Sequence, residues 1–159
     1  MSPADIPRKL LIVAHIPSAN TKALSAATLA GAASPEIDNI HVTVRTPFEA
    51  DVEDVLATDA IILGTTENLG YMSGALKDFF DRIYYPVLEK KQGLPMAVYI
   101  RAGHDGTGTR RAIETITTGL KWKAVQQPLI CRGDWDDGFV DQCRDLGMAM
   151  AAGLEAGIF

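Results

Sequence analysis

Residues 59–85 read DAIILGTTENLGYMSGALKDFFDRIYY. Ala60–Leu63 are apolar between Asp59 and Gly64, the mark of a short buried strand. From Leu76 onward, apolar side chains recur at Leu76, Phe79, Phe80, Ile83, Tyr84, Val87 and Leu88, the spacing of one helix face. Between strand and helix, Thr65–Ser73 holds hydroxyls, an amide, Gly70 and Tyr71. Strand, polar loop and helix form the unit with which a parallel sheet builds a site at the carboxyl ends of its strands. The loop exceeds what connection needs, since such turns run to about 2–6 residues.

The same alternation extends in both directions. After a polar lead-in, Met1–Pro7, the run Lys9–Ala14 (KLLIVA) predicts a strand buried on both faces. His15–Lys22 lead into an Ala- and Leu-rich helix reaching about Gly31, and Pro35 prevents its continuation. Ile40–Arg45 (IHVTVR) alternates and is rich in β-branched residues, so it predicts the second strand. Glu49–Ala57 predicts a short acidic helix, and Asp59–Gly64 the third strand. Gly93 and Pro95 turn the chain into a fourth strand, Met96–Ile100. The Gly-rich loop Arg101–Gly108 and a helix over Arg110–Lys121 follow. Ala124–Cys131 predicts a fifth strand interrupted by Pro128, which an edge position tolerates best. A polar loop, Arg132–Gly138, leads to a closing helix from Phe139 to about Gly153.

This alternation predicts a single α/β domain over all 159 residues. The expected fold is a doubly wound, five-stranded parallel sheet of order 2-1-3-4-5 with helices on both faces. In that order the loops after Ala14 and after Gly64 face each other across the switch point.

Composition narrows the function classes. Hydrophobic residues make up 47% and charged ones 22%, enough for a packed core. A net charge of −5 argues against nucleic acid or an acidic membrane as partner. The early apolar run Leu10–Ala14 is too short for a signal-peptide core or a membrane span, so a cytoplasmic protein is expected. The two cysteines, Cys131 and Cys143, give neither metal spacing nor a disulfide framework and are expected as reduced thiols. No P-loop and no nucleophile elbow is present.

Three loops carry the candidate chemistry. The first, His15-Ile16-Pro17-Ser18-Ala19-Asn20-Thr21, opens directly onto a helix, where free amides and the helix dipole favour an anion. Ser18 or Asn20 could equally serve only as the helix cap. His15 is either a phosphate or ring-edge donor, or a half-buried histidine held by the backbone. The second loop is Thr65-Thr66-Glu67-Asn68-Leu69-Gly70-Tyr71. The third, around Ala102, Gly103 and Gly106, has the glycines that allow a ligand close to the backbone. His104 and Asp105 there form a possible proton-transfer pair.

GTTENLGYMSGALKDFFDR resembles the second flavin-binding segment of the flavodoxin superfamily. The likeness is to its multimeric, quinone-reductase-like and FMN-reductase-like branch. Gly64, Thr65, Gly70, Met72, Ser73, Lys77, Phe79, Asp81 and Arg82 match, whereas Thr66 replaces the usual proline and Tyr71 stands where asparagine is commoner. Ser18-Ala19-Asn20-Thr21 is similar to the phosphate loop of the family, departing from it at Pro17 and Ala19. The resemblance implies an FMN-binding oxidoreductase whose phosphate lies at Ser18–Thr21. The flavin ring edge would lie along Thr65–Tyr71 and its pyrimidine side against Ala102–Gly106. It further implies hydride from NAD(P)H, a quinone or similar small acceptor, and a homodimer or larger assembly using Tyr71, Tyr84, Tyr85 and Trp135. Two other readings stay open: a flavodoxin-type electron carrier for a protein partner, and a flavin-free binding or regulatory protein, to which Pro17, Ala19 and Glu67 point.

Overall fold

The computed structural model describes residues 6–159, so the first five residues of the lead-in Met1–Pro7 lie outside the described residues. In chain order the elements are β1 (Arg8–Ala14), α1 (Ala19–Ala32), β2 (Ile40–Arg45), α2 (Val52–Ala57), β3 (Ala60–Asn68) and β4 (Tyr71–Met72). They continue with α3 (Gly74–Val87), β5 (Pro95–Ala102), α4 (Thr107–Gly119), β6 (Lys123–Ala124), β7 (Leu129–Arg132) and α5 (Gly138–Glu155).

The main sheet runs β2-β1-β3-β5, with β6 and then β7 on the far edge of β5, and every pairing in it is parallel. With β6 and β7 counted as one interrupted strand, this is the order 2-1-3-4-5 expected from the sequence. Its switch point lies between β1 and β3, which pair from Leu10 opposite Ala60 to Ala14 opposite Gly64.

Alternation of side chains sorts the two faces. Leu11, Val13, Ile61, Leu63, Val98 and Ile100 point to one side, against Leu76, Phe79, Phe80 and Ile83 of α3 and Ile113 of α4. Leu10, Ile12, Ile62 and Tyr99 point to the other, against Leu24 of α1 and Leu146, Met150 and Leu154 of α5. The buried strands therefore read as unbroken apolar runs, as a sheet covered on both faces requires. Burying a side chain such as Phe79 stabilises by about 1.5–3 kcal/mol. Gly64 has a packing reason, because a Cβ there would stand 2.2 Å from the Tyr99 ring.

Two expectations need correction, and one expected interruption is located. The third strand does not stop at Gly64 but continues to Asn68, and Thr65–Ser73 is largely a hairpin rather than an open loop. β4 returns antiparallel, pairing Met72 with Glu67 and Tyr71 with Asn68. The turn residues Leu69 and Gly70 both have positive φ, +52° and +75°, as a two-residue turn that follows the twist of its strands demands. The short acidic helix starts at Val52, not Glu49, because Asp51 caps it by accepting from the Asp54 amide. The fifth strand is split into β6 and β7, with Pro128 in the interruption.

Candidate functional site

The first loop is shaped by its own residues. Ser18 caps α1: its Oγ accepts from the Thr21 amide at 3.2 Å, while the Ser18 amide donates to Thr21 Oγ1 at 2.9 Å. The Thr21 hydroxyl in turn donates to the Ser18 carbonyl at 3.0 Å. This reciprocal pair is a capping box with threonine at the third helical position. Thr21 is buried and its hydroxyl is spent inside the protein, whereas Pro17, Ser18, Ala19 and Asn20 are exposed. The box leaves the first two helical amides, Ala19 and Asn20, without an acceptor from the described residues, at the positive end of the α1 dipole. His15 extends the β1–β3 ladder through its amide to the Gly64 carbonyl at 3.0 Å. Its ring is half-buried, and that burial lowers its pKa from the ordinary histidine value.

The second and third loops are shaped by each other. Glu67 reaches across to the third loop. Its carboxylate accepts from the His104 amide at 3.0 Å and the Gly106 amide at 2.8 Å. Thr109, on the first turn of α4, donates its hydroxyl to the Tyr71 carbonyl at 2.8 Å. At Gly108 the packing closes further, because a Cβ there would stand 2.1 Å from the Gly70 carbonyl oxygen. Within the hairpin, Thr65 Oγ1 accepts from the Ser73 amide at 3.1 Å, and Ser73 Oγ accepts from the Leu76 amide at 3.1 Å to cap α3. Thr66 donates to Asn68 Oδ1 at 2.8 Å. Leu69 is fully exposed at the tip and Tyr71 is 41% exposed.

The third loop is also tied down from its far side. Arg132 places Nε and Nη2 on the Asp105 carbonyl at 3.0 and 2.8 Å, and Gly133 donates to the Ala102 carbonyl. Asp105 turns its carboxylate to the Thr107 amide and hydroxyl rather than to His104, and the Thr107 amide holds its pKa below the usual aspartate value. The amides of Gly103 and Asp105 take no acceptor from the described residues. Gly106 adopts φ +72° and starts α4, with room for no side chain because Ile130 would lie 2.7 Å from a Cβ.

The second and third loops are thus joined by direct hydrogen bonds, and the first loop is adjacent to the second through β1 and β3. No side-chain hydrogen bond among the described residues bridges Ser18–Thr21 to Thr65–Tyr71 or Ala102–Gly106. The result is two facing walls at the switch point, with unspent amides of Ala19 and Asn20 on one and of Gly103 and Asp105 on the other. Sequence reasoning missed the Glu67 clasp, Thr109, the Arg132 fork and Arg101. Arg101 lies over the Trp135 and Phe139 rings, at 5.8 and 5.2 Å from their centroids. Trp135 is consequently half-buried in this stack, and Tyr84 packs partly against the core, so neither is a free aromatic. Cys131 and Cys143 are free thiols buried in the α1/α5-side core.

Known proteins share this architecture. A flavodoxin from the domain Archaea superposes with a TM-score of 0.76 at 22% identity, covering 90% of this chain and 96% of that one. A WrbA-like flavodoxin from Agrobacterium tumefaciens gives 0.70 at 15% identity, covering 95% and 98%. A flavodoxin of Aquifex aeolicus (strain VF5) is 29% identical over 112 residues, which take in 70% of this chain but only 60% of that protein. These likenesses establish the flavodoxin-like fold. Residues 18–132 match the NADPH-dependent FMN reductase family, a span that runs from Ser18 of the first loop through the hairpin and the third loop to Arg132. The chain belongs to the NADPH-dependent FMN reductase family.

Proposed function

We propose that the chain is an FMN-dependent oxidoreductase that draws on NAD(P)H and serves a small acceptor such as a quinone. The observation that carries this reading is the pair of unspent helical amides, Ala19 and Asn20, at the switch point between β1 and β3. They suit a phosphate, with the Ser18 hydroxyl and the exposed Asn20 and Lys22 side chains beside them. Backbone amides at a helix start bind phosphate without a net positive charge, so the overall −5 is no obstacle. The opposite wall fits the remainder of the cofactor: the amides of Gly103 and Asp105 offer donors to ring acceptors, and the half-exposed Tyr71 offers an apolar flank.

When bound, FMN supplies the two-electron chemistry, which no side chain here provides. The protein's part is to hold and orient. Ala19, Asn20 and Ser18 anchor one end. The Glu67 clasp fixes the relative position of hairpin and third loop, and Arg132 holds the Asp105 peptide. The departure at Ala19 removes little, since Ala19 is helical and keeps its amide, whereas Pro17 supplies no N–H.

The curated relative called a flavodoxin favours electron carriage for a protein partner as the second reading. Purified protein should be yellow and release FMN on denaturation. Mixed with NADPH, and separately with NADH, in a stopped-flow instrument, the FMN-loaded protein should bleach rapidly for a reductase. A loaded protein that neither nucleotide bleaches is a carrier, and one that takes up no FMN removes both readings. We also place a second copy over the hairpin tip, where Leu69 and Tyr71 are exposed; light scattering should report at least a dimer.

A further inference from the structure

Two of the helices that begin at the switch-point end of the sheet, α1 and α4, begin differently. α1 leaves the amides of Ala19 and Asn20 unspent, whereas at the start of α4 the chain supplies its own anions. Glu67 takes the amides of His104 and Gly106, at 3.0 and 2.8 Å, and Asp105 takes that of Thr107 at 3.0 Å. Gly106, the N-cap residue, has no side chain with which to cap the helix. The carboxylate that meets its amide comes instead from 39 residues back along the chain.

The Glu67 charge is held in place but not cancelled. No cation pairs with it among the described residues. Arg101 and Arg132 bind carbonyls of the third loop, those of Ala102 and Asp105, and not this carboxylate. The dipole at a helix start is equivalent to only about half a positive charge. The bond to Gly106 is partly buried, so solvent and salt screen the charge less than they would at an open surface.

The FMN reading proposed above, on which this inference rests, sets the ring between the hairpin and the third loop. The ring would take the amides of Gly103 and Asp105, which alternate along the loop with the two that Glu67 holds. Two electrons and one proton convert the neutral oxidised ring into an anion. A fixed like charge beside that ring raises the cost of the anion and leaves the neutral form untouched. We infer that Glu67 is the redox-tuning residue of this site: its carboxylate, bridging hairpin and third loop, disfavours the reduced ring and holds bound FMN ready to release its electrons. A carboxylate that merely tied the two loops together would bias neither form.

The test compares two affinities. Apoprotein is titrated with oxidised FMN and, without oxygen, with dithionite-reduced FMN, in mildly alkaline buffer where the reduced ring is an anion. Glu67→Gln keeps the shape of the side chain and removes its charge. It should improve binding of the reduced form relative to the oxidised form about tenfold, which raises the potential of the bound flavin by about 30 mV for a two-electron couple. Glu89→Gln removes the same charge from an exposed position beyond the end of α3, at the opposite end of the sheet, and should leave the ratio as it is. An unchanged ratio in Glu67→Gln, including an equal fall in both affinities, overturns the inference and leaves the FMN reading standing. So does an equal change of ratio in Glu89→Gln, which would make net charge rather than position the cause. A wild-type chain that binds neither form removes the FMN reading, and the inference with it.

Discussion

The two walls of the switch-point site are built by opposite means. The first loop is held by residues three apart: Ser18 and Thr21 cap α1 reciprocally, and no side chain from the other loops supports them. The hairpin and third loop are held by residues nearly forty apart, through Glu67 to His104 and Gly106, and through Tyr71 to Thr109. A local device orders its own turn and nothing else. A long-range device couples two loops, so that the position of one is the position of both. The anchoring wall can therefore be changed without disturbing the other, whereas any change in the Glu67 wall moves two contact surfaces together.

The contrast breaks most severely at Gly108. Gly108→Ala would drive a Cβ to 2.1 Å from the Gly70 carbonyl oxygen, a backbone atom that cannot swing away as a side chain can. The hairpin must retreat from α4, at a cost of about 3 kcal/mol, the upper range for overpacking. Denaturant titration should show that loss, and the Tyr71–Thr109 hydrogen bond should open with it. Unchanged stability would mean that the two elements are not in fixed contact.

Glu67→Ala tests the clasp itself. It strands two backbone amides whose bonds go to a charged acceptor, so a loss of about 2 kcal/mol is expected, a hydrogen bond to a charged group being worth roughly 1.5–3. Hydrogen exchange at His104 and Gly106 should accelerate together, and Glu67→Gln should restore one protected amide. Ser18→Ala is the local counterpart. Its expected loss is about 1 kcal/mol, the usual cost of an N-cap, with faster exchange confined to the first turn of α1. Altered exchange in the third loop of Ser18→Ala would contradict the independence of the walls.

The same division explains what was legible in the sequence. Buried parallel strands advertise themselves as apolar runs, and α3 as a helical stripe from Leu76 to Val87, so order and layers followed. Pro128 announced the break in the edge strand. The capping of α1 by Ser18 was among the readings open at Ser18–Thr21, because a cap and its partner lie three residues apart. The hairpin was not legible: Asn68-Leu69-Gly70-Tyr71 puts leucine at a positive φ of 52° where asparagine or glycine is the usual signal. The Glu67 clasp was not legible either, since a carboxylate says nothing of which distant amides it will meet. Arg101 over Trp135 and Phe139 is hidden for the same reason.

The smallest effect sharpens the comparison from the anchoring side, through His15. Burial lowers its folded pKa below the ordinary value. The folded state then binds fewer protons than the unfolded state in the window between the two values, so stability rises with pH across it. The contribution is complete above the unfolded histidine pKa of about 6.5, and it is lost as pH falls through the folded value. His15→Gln should remove this slope, leaving the acid loss due to carboxylates such as Asp105, whose lowered pKa places its own loss below about pH 4. A phosphate held at Ala19 and Asn20 would act on His15 in the opposite sense, since a nearby anion favours the protonated ring. Titrating the His15 ring protons by NMR, first alone and then with FMN, should show the pKa rising on addition. A rise at His15 locates the anion beside the first loop, while an unchanged His15 would put the charged end of the ligand elsewhere in the site.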